Sequence, residues 1–268
     1  MVITRYDLSR TELADLLEGE PNYRVDQVWE GLHSQHRDPA DLTNIPKKLR
    51  SAIESLLPAA LTPLREVSAD NGTTIKNLWQ LSDGHLIESV LMHYRDRSTV
   101  CVSSQAGCAM ACSFCATGQV GFDRHLTTGE IVEQVIRASQ HSVDKRVSNV
   151  VFMGMGEPLA NFDNVWSAIE RINADIGIGA RKITVSTVGI IPGIERLAQQ
   201  KLPVSLAVSL HSANDKTRNH LAPINRTYPL RKLAECLQNY KRARNRRISF
   251  EWAMMSEVND TDEAAREL

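Results

Sequence analysis

The chain has 268 residues, 42% of them hydrophobic, enough to bury one large core or two smaller ones. Its 31 basic and 32 acidic residues leave a net charge of -1, so overall charge neither requires nor excludes a polyanionic partner, and any nucleic-acid surface must be local. No run approaches the roughly 18 apolar residues of a membrane span, and the start, MVITRYDLSR, is polar and charged from its fifth residue. The expectation is a cytoplasmic, globular protein with no membrane partner.

Residues 1–63 read as a small helical region. Ser9 and Glu12 form an S-x-x-E capping box, and Leu13, Leu16 and Leu17 give a helical apolar stripe before Gly19 and Pro21 stop it. Tyr23, Val25, Val28, Trp29 and Leu32 continue the pattern, with the aromatics read as core. Asn44 and Pro46 open a further helix carrying Leu49, Ile53, Leu56 and Leu57 on one side. From about residue 64 the pattern becomes extended. The runs TTIKNLWQL, HLIESVLMHY and STVCVSSQ are separated by the turn signals Asp70-Asn71-Gly72 and Asp83-Gly84, so residues 64–96 read as a strand-rich extension.

Over 97–268, strands alternate with helices. The strand candidates are NVVFMGMG, KITVSTVG, LPVSLAVSLH and RISFEWAMM; the helices between them begin at Thr127, where Glu130 completes a capping box, and near Asp163, Pro192 and Pro229. This alternation implies parallel βαβ units, with function collected at the carboxyl ends of the strands. Asn259, Asp260 and Thr261 read as helix-start residues just before the sequence stops at EAAREL.

Four of the five cysteines, Cys101, Cys108, Cys112 and Cys115, fall within fifteen residues, which suits metal or redox chemistry better than a disulfide framework. In GCAMACSFCATG three of them are spaced C-x3-C-x2-C directly after a strand. A structural zinc site needs four protein ligands, whereas three soft thiolates can hold three irons of a cubane and leave the fourth open. A zinc knuckle completed by a distant His or Cys, or a set of free buried thiols, are the alternatives. Further on, GMGEP ends a strand with glycines that let a ligand approach the backbone, and with Glu157, a carboxylate able to accept hydrogen bonds from an ammonium.

The cysteine spacing, with Phe114 before the last thiol, resembles the signature of the radical S-adenosylmethionine (SAM) enzymes. Together with MGMGEP, KITVSTVGI and SLHSANDKTRNHLAPINR it resembles the RlmN family of radical SAM RNA methyltransferases, over nearly the whole chain. The resemblance implies an α/β fold, a partial (βα) radical SAM barrel incomplete at its C-terminus, behind a small N-terminal helical domain. It implies a [4Fe-4S] cluster and SAM as cofactors, with Cys108, Cys112 and Cys115 as metal ligands and Gly156, Glu157, Ser186, Ser209, Leu210 and His211 binding SAM. The implied reaction methylates C2 of adenosine in 23S rRNA and some tRNAs through a cysteine-bound methyl group. Glu88 then matches the proton acceptor, and Cys101 the thiol that resolves the covalent protein–RNA adduct; a sulfur-bound substrate needs a second thiol to release it. A flavodoxin as electron donor and a monomeric protein are implied by the resemblance alone.

Each of these has a plainer reading from the residues themselves. Glu88 lies on an alternating strand and could face solvent; Cys101 could be a small buried hydrophobe; Ser186 and His211 could be strand-end polar groups. Lys241, Arg242, Arg244, Arg246 and Arg247, preceded by Arg218, Arg226 and Arg231, form the candidate RNA-binding cations, which could equally be a solvated helix end. The family's closing strand, a SAM-contacting asparagine and its methyl-carrying cysteine find no match before Leu268, so the chain is expected to be incapable of completing methyl transfer alone. Cys236, in the amphipathic LRKLAECLQNYK, reads as core. A related C8-specific methyltransferase and a non-enzymatic RNA-binding fragment are the alternatives in function.

Overall fold

A computed structural model describes residues 3–142 and 145–268. Three helices come first: α1 (Arg10–Leu16), α2 (Asn22–His33) and α3 (Lys47–Leu56). Four strands follow, β1 (Leu61–Ala69), β2 (Thr74–Leu81), β3 (Leu86–His93) and β4 (Ser98–Cys101), and then β5 (Gln105–Gly107), α4 (Ala116–Val120) and β6 (Phe122–His125). Beyond these lie α5 (Thr128–His141), β7 (Val147–Phe152), α6 (Phe162–Ala174), β8 (Ile183–Thr187), α7 (Ile191–Ala198) and β9 (Ser205–Ser209). The last elements are α8 (Asp215–Leu221), α9 (Leu230–Arg244), β10 (Ile248–Glu251) and α10 (Asp262–Glu267).

Eight strands form one sheet in the order β1-β2-β3-β4-β7-β8-β9-β10, while β5 and β6 make a separate two-stranded ribbon. Pairing is antiparallel from β1 to β4 and parallel from β4 to β10. The sheet is open, as expected of a partial barrel. Its register sorts the side chains. Val100, Val150, Ile183, Val185, Leu206 and Val208 are fully buried on the face covered by helices. On the other face Cys101 pairs with Val151, Val151 with Thr184, and Thr184 with Ser205, followed by the row Ser186, Ala207 and Ser249. One face is therefore a hydrocarbon core and the other a polar wall, because strand side chains alternate with period two.

Both expected capping boxes form: Ser9 with Glu12 on α1, and Thr127 with Glu130 on α5. Asp7 adds a second cap, its carboxylate accepting from Gly129 N–H at 2.7 Å, so the N-terminal segment closes the start of a barrel helix. Three apolar side chains depart from their expected sides. Leu56 is 58% exposed where Leu57 is buried, Leu16 is exposed where Leu13 and Leu17 are buried, and Tyr23 is 55% exposed. A helix of two or three turns has only one packed stripe, and a residue one position off that stripe turns to water. The extended region begins at Leu61, three residues before the expected boundary. Of the three expected helix-start residues only Thr261 is a cap; Asn259 is buried and donates to the carbonyls of His211 and Ala253.

Candidate active site

The site is assembled where β4, β7, β8 and β9 end. The segment after β4 runs beside the end of β7: Val102 N–H donates to Val151 O, Gly154 N–H to Val102 O, and Ser104 N–H to Met155 O. Ser103 Oγ donates to Glu88 O at 2.6 Å and accepts from Met155 N–H at 2.9 Å, so one hydroxyl joins three strands' ends. Two glycines make this close approach feasible. A Cβ on Gly154 would lie 2.8 Å from Ser103 Oγ, and one on Gly156, where φ is +98°, would lie 2.5 Å from Gln105 Cβ.

The cysteine loop leaves β5 at Gly107, whose φ of +74° turns the chain so that Cys108 N–H donates to Gly121 O at 2.7 Å. Cys115 N–H donates to Cys112 O, and Ser113 N–H to Leu221 O at 3.0 Å, anchoring the loop on the end of α8. The three thiols border a cavity of about 270 Å³ that also includes Gly156, Glu157, Ser186, Ser209 and His211 in its wall. Eight of the expected site residues thus converge. Leu210 does not line it; its side chain borders the groove between α9 and β10.

Cys108 and Cys112 sit where the protonated thiol is favoured when no cation is present. Burial, then Cys108, Cys115 and Glu157, push Cys112 up to about 12, partly offset by Arg218; burial also raises Cys108. Iron must therefore displace protons on binding. Among the described residues no three His, Cys, Asp or Glu groups converge on one point as a single ion requires. Three soft donors spread round a cavity, with no fourth, fit a cluster whose irons are ligated separately, and do not fit a closed zinc site.

Glu157 is fully buried, and its two oxygens accept from Leu159 N–H at 3.1 Å and Val188 N–H at 2.8 Å. The carboxyl therefore ties the end of β7 to the end of β8 while facing the cavity. Burial pushes it up to about 7. Ser186 and Ser209 hydroxyls lie 3.4 Å apart on adjacent strands. His211 takes a left-handed φ of +58°, stacks edge-on to Phe114 with centroids 4.5 Å apart, and accepts at Nδ1 from Ala253 N–H. Burial, then Arg218, push it down to about 4, so the imidazole is neutral at pH 7 and carries its proton on Nε2.

Glu88 and Cys101 lie outside this cavity, on the polar face of the sheet. Cys101 faces Val90 on β3, two residues from Glu88, so both side chains project from the same face. Glu88 is paired with Lys76 at 2.7 Å on β2 and is 40% exposed. Burial pushes the Cys101 thiol up to about 11.

Sequence reasoning missed the supporting residues. Gln105 accepts from Glu157 N–H at 2.8 Å, and Asn161 Nδ2 bridges the carbonyls of Ser104 and Leu126. Arg218, grouped above with surface cations, is buried beneath the site and hydrogen-bonded to Leu210, Val188 and Ser209 carbonyls. The candidate RNA-binding run is also partly structural: Arg244 donates to the carbonyls of Gln200 and Leu202, and Arg246 reaches Ser205 Oγ. No local signal marks such residues, because their partners are backbone and side-chain groups that only the folded strand ends bring within reach.

Three thiols and a neighbouring glycine-rich strand end, gathered at the carboxyl edge of a parallel sheet, define a radical SAM enzyme. A profile of the Radical SAM superfamily matches residues 102–268, which implies a [4Fe-4S] cluster and SAM as cofactors. A crystal structure of a radical SAM methyltransferase from Sphaerobacter thermophilus superposes with a TM-score of 0.95 at 44% identity, over 99% of this chain and 80% of that one. Proteins named "Probable dual-specificity RNA methyltransferase RlmN" from Corynebacterium glutamicum and Chloroflexus aurantiacus are each 47% identical. The matches cover 91% and 95% of this chain and 69% and 71% of those proteins. The chain belongs to the RlmN family of radical SAM methyltransferases.

Proposed function

We propose that the site serves methylation of C2 of adenosine in 23S rRNA and in some tRNAs, in the cytoplasm, by a monomer that receives electrons from a flavodoxin. The observation that carries the reading is the convergence of Cys108, Cys112, Cys115, Glu157, Ser186 and His211 on one cavity at the strand ends. Cys108, Cys112 and Cys115 would hold the cluster, and the strand-end backbone at Gly156, with Glu157, Ser186, Ser209 and His211, would receive SAM. When bound, these cofactors supply a one-electron cleavage of SAM and so hydrogen abstraction from an unactivated carbon.

The protein's own groups then have distinct tasks. Glu88, on the polar face of the sheet and paired with Lys76, would accept the proton released from the adenine ring. Given a methyl-carrying cysteine, the Cys101 thiolate would attack that sulfur, forming a disulfide while the S–C bond breaks and its electron pair leaves with the product carbon; the raised pKa of Cys101 would make this step faster at higher pH. Cys236 is no candidate for carrying the methyl group, being 7% exposed within the packed face of α9. The remaining cysteines of the chain are Cys101 and the thiol triad, so we propose that residues 1–268 support SAM cleavage without completing methyl transfer.

Anaerobic reconstitution with iron and sulfide tests this. About four irons per chain, with release of deoxyadenosine from SAM under reduction and no 2-methyladenosine in added rRNA, is the expected outcome. One bound zinc, or no metal, would overturn the cluster reading. A methyl group on the added rRNA would overturn the proposal that residues 1–268 stop at SAM cleavage, and its position, C2 or C8, would give the regiochemistry.

A further inference from the structure

Arg218 is completely buried, with 0% exposure. Its hydrogen bonds all end on neutral acceptors. Nε donates to Leu210 O at 3.0 Å, one terminal nitrogen to Asn225 Oδ1 at 2.7 Å, and the other to Val188 O at 2.6 Å and Ser209 O at 3.3 Å. Among the described residues no carboxylate touches it. Asp215 reaches it only through Asn225, whose Nδ2 donates to Asp215 Oδ1 at 2.7 Å.

A guanidinium removed from water without a counter-charge costs several kcal/mol, and carbonyl dipoles only partly replace the lost hydration. Such a residue needs an anion nearby. The cysteine loop lies against the helix that carries it: Ser113, the residue after Cys112, donates its N–H to Leu221 O at the end of α8. On the opposite side, the three carbonyls it holds belong to the ends of β8 and β9, where the cavity wall is formed.

We infer that Arg218 is the cationic positioning residue of this cavity: it fixes the ends of β8 and β9, and its charge balances the anionic iron–sulfur group held by Cys108, Cys112 and Cys115. The inference rests on the cluster reading proposed above. Two separable consequences follow from its two roles. The charge stabilises the more negative, reduced state of the cluster, and the planar fork holds the backbone that SAM contacts. Lysine can supply the first, but its single nitrogen with three donors cannot span the four oxygens that the planar fork of Arg218 holds.

The test uses the full 268-residue chain, reconstituted anaerobically, with reduction followed by spectroscopic redox titration and SAM affinity by equilibrium binding. Arg218→Gln is expected to move the reduction potential to more negative values and to weaken SAM binding by about tenfold or more, the scale of a lost charged hydrogen bond. Arg218→Lys is expected to leave the potential near that of the wild type while still weakening SAM binding. Should Arg218→Gln fail to fold, the exchange Asn225→Asp with Asp215→Asn decides the matter. That pair conserves net charge and every carbonyl bond of Arg218 but moves a carboxylate against the guanidinium, so the potential is again expected to fall. Cluster loading is also expected to raise the Tm of the wild type more than that of Arg218→Gln. A loaded wild type whose Gln and exchange variants titrate at its own potential overturns this inference alone. A wild type that takes up no iron overturns the proposed function and this inference together.

Discussion

Glu157 performs two tasks that pull its protonation in opposite directions. Two backbone N–H groups favour the ionised carboxylate, whereas full burial favours the neutral acid and wins, giving a value of about 7 against an ordinary 4.5. Because the folded value is raised, the folded state binds the proton more tightly than the unfolded chain. The resulting stabilisation is fully present below about 4.5 and is lost as pH rises through about 7. In the metal-free protein, the stability of the wild type relative to Glu157→Gln should therefore fall by on the order of 3 kcal/mol across that window. Urea midpoints measured at half-unit pH steps would show it; a difference that stays flat with pH would contradict the raised value. The thiol triad and GMGEP were legible in the sequence because both are contiguous and their spacing carries chemistry. Arg218 and Gln105 were not, since Gln105 meets Glu157 only once the segment after β4 lies beside the end of β7, and Arg218 meets Val188 only once β8 and β9 lie side by side.

The elements were legible in proportion to their length. The fourteen residues of α5 carry a capping box at Thr127 and a continuous apolar face, and the helix forms where those signals put it. Replacing Thr127 with Ala removes the acceptor for Glu130 N–H and should lower stability by about 1 kcal/mol, read as a shifted denaturant midpoint with an unchanged m-value. Asp7 would limit the loss by continuing to cap Gly129. The short pieces escaped notice. The three residues of β5, four of β6 and five of α4 contain too few positions to display a period, although they shape the cysteine loop. Likewise the sides of α1 and α3 were misjudged by single residues, at Leu16 and Leu56.

At the scale of the molecule, the N-terminal helices and the barrel share one hydrophobic core, and a chain of charges, from half-buried Asp38 to buried Glu133, crosses between them. Asp38 accepts from Arg5 at 2.6 Å and from Arg137 at 3.2 Å; Arg137 in turn holds Glu133 at 2.9 Å, whose other oxygen accepts from Ala60 N–H. Glu133 is fully buried, so Glu133→Ala would leave the Ala60 amide without its acceptor and Arg137 with only Asp38 and Gln140 as partners. The expected cost is about 1–3 kcal/mol, that of an unsatisfied buried amide, with far-UV circular dichroism and tryptophan fluorescence melting together because the parts unfold as one. Separate transitions would show that the helical region folds by itself. The α/β alternation made the parallel half of the sheet legible, but this cross-connection depends on residues about a hundred positions apart.

The change of strand direction at β4 also bears on how the chain is put together in time. The antiparallel run from β1 to β4 joins neighbours in sequence through short turns, so its pairings close small loops. Each parallel pairing beyond it must wait for a helical crossover, and β4 meets β7 across some fifty residues. During synthesis the meander emerges first and presents β4 as a finished edge. It is then the template on which the cofactor-bearing half of the sheet is laid down, strand by strand, toward β10.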